Sequence, residues 1–183
     1  MSSGTIYKWV YCLTGHIRIV NDPIEMVSLF VTFNNDQYKE IYEHLTRAWM
    51  TEEELGKLAG NDSVGECLAI LKKGNLIEEK WRTPPPGKKP VKEYRTIYSR
   101  FRANFQCNMT DLGDLIHVAL SNDEKVRELV DQIEEEIKQG NTSINDIARK
   151  YNVSQFVIKG LAKRMPRLDV KGQGMVLTDH GKR

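Results

Sequence analysis

Apolar residues recur at helical spacing in two separate stretches of the chain, and each stretch ends in short runs typical of β-strands. In the C-terminal stretch, Ile144, Ile147 and Tyr151 share one helical face, and a second helical run follows from Val157 to Leu161. Apolar residues then flank a glycine-rich tip at 172–174, as in a β-hairpin. The pattern predicts two short helices and a small hairpin within residues 141–183.

The junction between these helices carries the residues of a tight turn. Asn152 tolerates left-handed backbone, and Ser154 stands where an N-cap residue accepts from the next helix. The unit resembles a helix-turn-helix with a small wing, whose second helix enters the major groove of DNA; an ordinary α+β arrangement is the alternative. Its candidate DNA contacts are Ser154, Gln155, Lys159, Lys163, Arg164 and Lys171.

A longer stretch, residues 36–107, shows three helices and two strands. The first helix has an apolar face from Tyr38 to Leu45, and the second opens with capping-box spacing between Thr51 and Glu54. The third runs from Ser63 to Lys73. A strand beginning at Leu76, a basic loop at 82–90 with three consecutive prolines, and a long strand at 91–107 complete the pattern.

This order of elements is that of a winged helix-turn-helix. The segment SVGECLAILKKGNLIEEKW and the hairpin to Tyr98 resemble those of the ArsR-type regulators and their archaeal relatives, over Asp36 to Cys107. The resemblance implies a recognition helix from Ser63 to Lys73, a wing that contacts DNA from Arg82 to Lys92, and a dimer. The expected DNA contacts in this part are Ser63, Lys72, Lys73, Arg82, Lys88, Lys89, Lys92 and Arg95.

The chain departs from that family in two respects. Metal-sensing members carry paired cysteines near the recognition helix, whereas Cys67 stands alone on the predicted buried face, so we expect no metal site. Asp62 and Glu66 at the start of the helix repel phosphate, so we expect the wing to supply most of the non-specific contact with DNA phosphates. Base reading then falls to Gln155 and Lys159 of the C-terminal helix.

Two other segments leave alternatives open. Residues 1–35 contain strand-like runs at Ile6–Leu13 and His16–Val20, and then the run MVSLFVTF, for which a helix is favoured over a strand. This segment serves either subunit contact or core packing. The apolar stripe from Val126 to Ile137 packs on its own domain, which we favour, or forms a subunit interface.

Charge is segregated along the 183 residues although the net charge is only +2. Residues 78–102 contain eight basic and three acidic side chains, and residues 143–183 contain nine and three. Residues 122–138 between them contain seven acids and three bases. Two basic blocks joined by an acidic connector favour contact with a polyanion, although solvated faces are the usual origin of such runs.

Motifs for catalysis are absent from the sequence, and the four histidines and three cysteines are scattered. No apolar run approaches membrane-spanning length, and the start of the chain lacks the pattern of a secretory signal. We therefore expect a cytoplasmic protein that is not an enzyme and needs no cofactor.

Together these observations predict a mainly α fold with small β-hairpin wings (α+β), built from two winged helix-turn-helix units. The expected segments are an apolar N-terminal part, a first winged unit, a helical connector and a second unit, at residues 1–35, 36–107, 108–140 and 141–183. The predicted function is a regulator of transcription that binds duplex DNA as a homodimer, with an unknown effector. A protein-interaction adaptor is one alternative. The other is an RNA-binding factor that uses the aromatic and basic strand around Tyr98 and Arg100.

Overall fold

A computed structural model of the protein describes residues 15–60, 63–84, 86–87 and 89–178. Its helices are α1 (Met26–Phe33), α2 (Asp36–Arg47), α3 (Glu52–Ala59), α4 (Val64–Lys73), α5 (Met109–Leu120), α6 (Glu124–Lys138), α7 (Ile144–Lys150) and α8 (Gln155–Arg164), with a 3-10 helix at Pro23–Glu25. Its strands are β1 (His16–Val20), β2 (Met50–Thr51), β3 (Glu78–Arg82), β4 (Val91–Arg95), β5 (Tyr98–Ala103), β6 (Leu168–Lys171) and β7 (Gly174–Leu177). The predicted strand at Ile6–Leu13, the residues Cys12, Asp62 and Lys88, and the tail after Thr178 lie outside the described residues.

The chain from α2 to β4, which we call the first unit, has the winged-helix arrangement that the sequence predicts. Thr51 ends β2 and caps α3: its Oγ1 accepts from the Glu54 N–H at 3.2 Å, and the Glu54 carboxylate accepts from the Thr51 N–H at 2.8 Å. Strand β4 is the middle of the antiparallel sheet β2-β4-β3, and the loop from β3 to β4 is the wing. The helices enclose one core around Ile41, Leu45 and Leu71.

The single long strand predicted at 91–107 is wrong, because the chain turns out of the wing sheet at the buried Thr96. The Thr96 N–H donates to the Leu45 carbonyl at 3.0 Å, and its hydroxyl donates to the Tyr42 hydroxyl at 3.3 Å. Strand β5 then pairs in parallel with β1, which confirms the strand expected at His16–Val20. Aromatic and basic residues continue through the turn from Tyr94 to Arg102, so the composition of the segment did not show the break.

Residues 124–177, which we call the second unit, repeat the order helix, helix, helix, hairpin. Ser143 forms a β-bridge with Gly174 and caps α7, its Oγ accepting from the Asp146 N–H at 3.3 Å; Thr51 has the same two roles in the first unit. The expected turn is present, with Asn152 at a φ of 51°. Val130 and Ile133 of α6 lie in this unit's core, which confirms that the α6 stripe packs on its own domain.

Helices α1 and α5 form a layer against the second unit. The MVSLFVTF run is a helix, as favoured, and Val27 is buried with Ile24, Leu115 and Ala119 in a small third core. Both α1 and α5 also pack on α8. Helix α8 therefore lies between its own unit's core and the α1–α5 layer.

Candidate nucleic-acid interface

Helix α4, the expected recognition helix, exposes only a narrow strip. Its buried side joins the first unit's core through Val64, Cys67, Leu68, Ile70 and Leu71. Gly65 and Glu66 are exposed, and Ala69 and Lys72 are half-buried. The Ser63 hydroxyl is buried without a hydrogen-bond partner among the described residues. The strip therefore offers few base-reading groups, and its basic residue stands at the C-terminal end.

At that end, Lys72 of α4 and Lys92 of β4 share one carboxylate. Glu79 accepts from Lys72 Nζ at 2.7 Å and from Lys92 Nζ at 2.9 Å, and all three side chains are 35–37% exposed. Hydrogen bonds from the two lysines lower the pKa of Glu79, and the same contact raises the pKa of Lys92. Helix and wing thus form one continuous basic surface with an acid at its centre.

An exposed tryptophan extends this surface along the wing. Trp81 is 64% exposed, and Lys92 Nζ lies 5.4 Å from its ring centroid. The ring borders an open depression of about 580 Å³, which is also lined by Arg82, Thr83, Pro84, Lys89 and Pro90. Lys89 is exposed there. An indole beside basic side chains suits contact with both the sugar and the phosphate of a nucleic acid.

Arg82 is occupied by carboxylates of its own unit. Its terminal nitrogens donate to Glu54 at 2.6 and 3.0 Å, and its Nε donates to Glu93 at 2.6 Å. The Arg82 hydrogen bond lowers the pKa of Glu54 to about 2. Lys80 adds a second ion pair to Glu93 at 3.3 Å, and Arg95 buries its Nε without a partner among the described residues. A phosphate at Arg82 would have to displace a carboxylate.

Lys73 and Lys163 join the two units. The Lys73 ammonium donates to the carbonyls of Ala162 at 2.8 Å and Met165 at 2.5 Å, and also to that of Leu168. Lys163 Nζ returns a bond to the Lys73 carbonyl at 2.7 Å. Burial lowers the pKa of Lys73 to about 8. Each ammonium group therefore binds carbonyls of the protein itself: Lys73 at the C-terminal end of α8, and Lys163 at the C-terminal end of α4.

The face of α8 opposite its own core is covered by the rest of the chain. Phe156 packs against the third core, and Gly160 meets α5 closely. A Cβ built on Gly160 would lie 3.2 Å from a Leu115 methyl and 3.3 Å from a Val118 methyl. A groove-reading helix normally presents that face to DNA. In this protein, the part of α8 that solvent reaches is the side that carries Gln155 and Lys159.

The open side of α8 carries the two predicted reading residues. Gln155 is exposed and Lys159 is half-buried. Ser154 caps the helix, its Oγ accepting from the Val157 N–H at 3.3 Å, and its hydroxyl also donates to Asp114 at 3.0 Å. Lys171 is exposed on the second hairpin.

Arg164 crosses from α8 to the end of α5. Its guanidinium donates to the Val118 carbonyl at 2.6 Å, the Ser121 carbonyl at 2.5 Å and the Asn122 side chain at 3.3 Å. Burial lowers its pKa, and the neighbouring positive charge of Arg127 adds to that effect. Arg164 therefore satisfies carbonyls at a helix C-terminus, a common role for arginine.

Sequence reasoning missed Glu79 and Trp81, which organise the exposed surface. Both lie on one face of β3, where Glu79 pairs with Tyr94 and Trp81 pairs with Lys92 in the hairpin register. Aligning the two strands about the wing loop would have placed an acid and an indole beside Lys92. Counting charges along the segment could not show this arrangement, because the count treats the segment as one basic block.

The described residues contain no cluster of three or more His, Cys, Asp or Glu side chains able to hold a metal. Cys67 is buried in the core, which raises the pKa of its thiol to about 12. Among the described residues, no helix is long and apolar enough to cross a membrane.

Three helices, a strand after the first of them and a basic wing define a winged helix-turn-helix protein. A family model described as ArsR transcriptional regulator matches residues 20–179. The chain therefore belongs to the ArsR family of transcriptional regulators, which confirms the resemblance read from residues 36–107 and extends it over the second hairpin. A comparison with curated proteins finds no match.

Proposed function

We propose that this transcriptional regulator binds duplex DNA through the surface that α4 shares with the wing. The observation that carries the proposal is the pairing of Lys72 and Lys92 with one carboxylate, because it sets a helix lysine beside a wing lysine. Trp81 and Lys89 continue that surface along the wing. Phosphate contact there supplies affinity without sequence information.

We further propose a division of labour between two winged-helix-like modules. Helix α4 offers Gly65, Glu66 and Ala69 to a groove, and the acidic Glu66 is repelled by the phosphates that line it. Gln155 and Lys159 begin α8 and can bond adenine and guanine edges. Helix α5 covers the face of α8 that points away from the second unit's core. DNA must therefore approach α8 along the side that carries Gln155 and Lys159.

We infer that the regulator acts as a homodimer, because one short reading helix recognises few base pairs. The α6 stripe is already buried within the second unit, so a partner subunit must bind elsewhere. Helix α5 offers an apolar strip for a second copy, with Met109 81%, Ile116 40% and Leu120 41% exposed at helical spacing. Sedimentation at tens of micromolar tests this: Ile116→Asp should yield monomers, and a monomeric wild type contradicts the inference.

Fluorescence anisotropy with duplex DNA, single-stranded DNA and RNA at several salt concentrations tests the main proposal. With about six phosphates contacted, a fourfold rise in salt should weaken duplex binding roughly a thousandfold. Absent or salt-independent duplex binding would overturn it. Preference for single strands or RNA would instead favour the exposed Arg100, Phe101 and Arg102 of β5 as the contact.

Paired substitutions test the division of labour. Replacing Gln155 and Lys159 by Ala should cost about 1–3 kcal/mol per lost base contact and reduce discrimination between specific and random duplexes. Replacing Lys88 and Lys89 by Ala should weaken both duplexes alike and flatten the salt slope by up to about two. The reverse pattern would assign the reading helix to the first unit.

An adaptor that binds protein remains the second candidate, and the covered face of α8 favours it. Val27, Leu115 and Val118 surround Gly160 where a groove-reading helix would meet DNA. If no nucleic acid binds in the anisotropy assay, the adaptor is the better description.

A further inference from the structure

A cleft of about 320 Å³ lies between the two units, where the end of α1, the start of α2 and α4 face α5, α6 and α8. Its volume is at the lower end of the range for small-molecule sites. Its apolar lining comes from both sides: Val31, Ile70, Leu120, Val126, Val130 and Met165. A ligand in this cleft would therefore contact both units at once.

Two arginines from the second unit line the same cleft. Hydrogen bonds to the Val118 and Ser121 carbonyls hold the Arg164 guanidinium in the cleft. Arg127 of α6 is exposed and makes no hydrogen bond or ion pair with any described residue. The charge of Arg127 disfavours the charged form of Arg164. Two guanidinium groups that repel each other in a partly desolvated cleft are stabilised by a shared anion.

The acids that line the cleft are Glu66, on the first unit's wall, and Asp123, just before α6. Burial raises the pKa of the Tyr38 phenol, and the charge of the nearby Glu66 carboxylate raises it further. The charge of Glu66 also favours the charged form of Arg164. Asp123 accepts from the Lys125 N–H at 3.2 Å, where the N-terminus of α6 offsets its charge. Glu66 therefore offsets part of the charge of Arg164, whereas the charge of Arg127 is available to an anion, with an apolar wall beside it.

We propose that this cleft binds a small organic anion, a carboxylate or a phosphate monoester with an apolar body of about ten non-hydrogen atoms. The anionic group is held by Arg127 and Arg164, and the body lies between Ile70 and Met165. The site goes beyond DNA binding and does not depend on it. Because both units form its walls, the bound anion stabilises their docking and raises the unfolding temperature.

Calorimetry and thermal unfolding with three aromatic probes test the proposal on the full chain. Phenyl phosphate or benzoate should bind with a dissociation constant of about a millimolar or below and raise the melting temperature, whereas neutral benzyl alcohol should do neither. Whichever of the two anions binds more tightly shows whether the natural ligand is a phosphate monoester or a carboxylate. If neither anion binds better than benzyl alcohol, the proposal is wrong.

Two matched arginine variants place the binding. Arg127→Gln should weaken the preferred anion about tenfold or more, because it removes a charge-assisted contact. Arg47→Gln removes an exposed arginine at the end of α2, outside the cleft, and should leave binding unchanged. Glu66→Gln should strengthen binding by removing a like charge. Equal affinities of the Arg127 and Arg47 variants would show that the anion binds elsewhere and would overturn the assignment.

Discussion

Removing the charge of Glu79 should tighten DNA binding. Its carboxylate occupies Lys72 at 2.7 Å and Lys92 at 2.9 Å, which is where a phosphate would sit in the proposed complex. A bound phosphate must either displace the carboxylate or lie beside it. In Glu79→Gln the position keeps its shape but loses the negative charge, so both lysines become available to phosphate.

The expected magnitude follows from two contributions. A phosphate about 4 Å from the carboxylate is repelled by about 1 kcal/mol in a water-like dielectric and by more at a protein surface, so affinity should rise at least about fivefold. Each lysine freed for phosphate adds about −0.9 to the slope of log K against log salt, so the slope should steepen by up to about two. The loss of two partly exposed ion pairs should lower the free energy of unfolding by about 1 kcal/mol or less.

Anisotropy titrations of one labelled duplex at 50, 100 and 200 mM salt measure both effects, in the range where counterion release dominates. Glu135→Gln is the matched control, since it makes the same charge change on α6 at a side chain that is 58% exposed. If Glu79→Gln binds no tighter than Glu135→Gln at any salt concentration, the α4–wing surface is not the phosphate contact.

Three further outcomes concern stability. Glu54 has its pKa lowered to about 2 in the folded state, so its stabilising contribution is complete above about pH 4.5 and is lost as the pH falls towards 2; Glu54→Gln should flatten the acid dependence of urea unfolding in that window, and an unchanged profile would contradict the contact with Arg82. Gly160→Leu should destabilise by about 1–3 kcal/mol through overpacking, whereas Gly113→Ala, with nothing within 4 Å of the added Cβ, should stabilise by about 0.5–1 kcal/mol; equal effects in thermal unfolding would mean that α8 is not packed on α5. Lys73→Met should cost about 1–3 kcal/mol by leaving three carbonyls without their donor, and a neutral result in chemical denaturation would show that the units are not joined there.

Local chemistry was readable from the chain because it depends on neighbours in sequence. The capping box of Thr51 and Glu54 needs only a spacing of three residues, and the left-handed Asn152 needs only a short polar side chain between two helical runs. The apolar spacing of α6 likewise predicted a helix whose stripe packs on its own domain, and Val130 and Ile133 lie in the second unit's core. The winged-helix class followed from the order of the helices and strands, and the ArsR resemblance from the segment SVGECLAILKKGNLIEEKW and the hairpin to Tyr98.

Other features depended on contacts between residues far apart in the chain. The break at Thr96 arises from a backbone hydrogen bond to Leu45 and a hydroxyl contact with Tyr42, which are about fifty residues earlier in the chain. Lys73 was expected to face DNA because it is basic and near a helix end. Its ammonium instead lies on carbonyls about ninety residues away along the chain, at Ala162 and Met165.

By itself, the sequence determined which segments are helices, where most of them begin and end, and that a hairpin follows each helix-turn-helix pair. Periodicity and capping carry that information, since both arise from interactions within a few residues. The tertiary structure alone decided which basic side chains remain accessible to a ligand. That choice depends on which carboxylates and carbonyls the folded chain brings within hydrogen-bonding distance, as it does for Glu79 between Lys72 and Lys92. It also depends on which helix face is covered, as it is for α8 beneath α5 at Gly160.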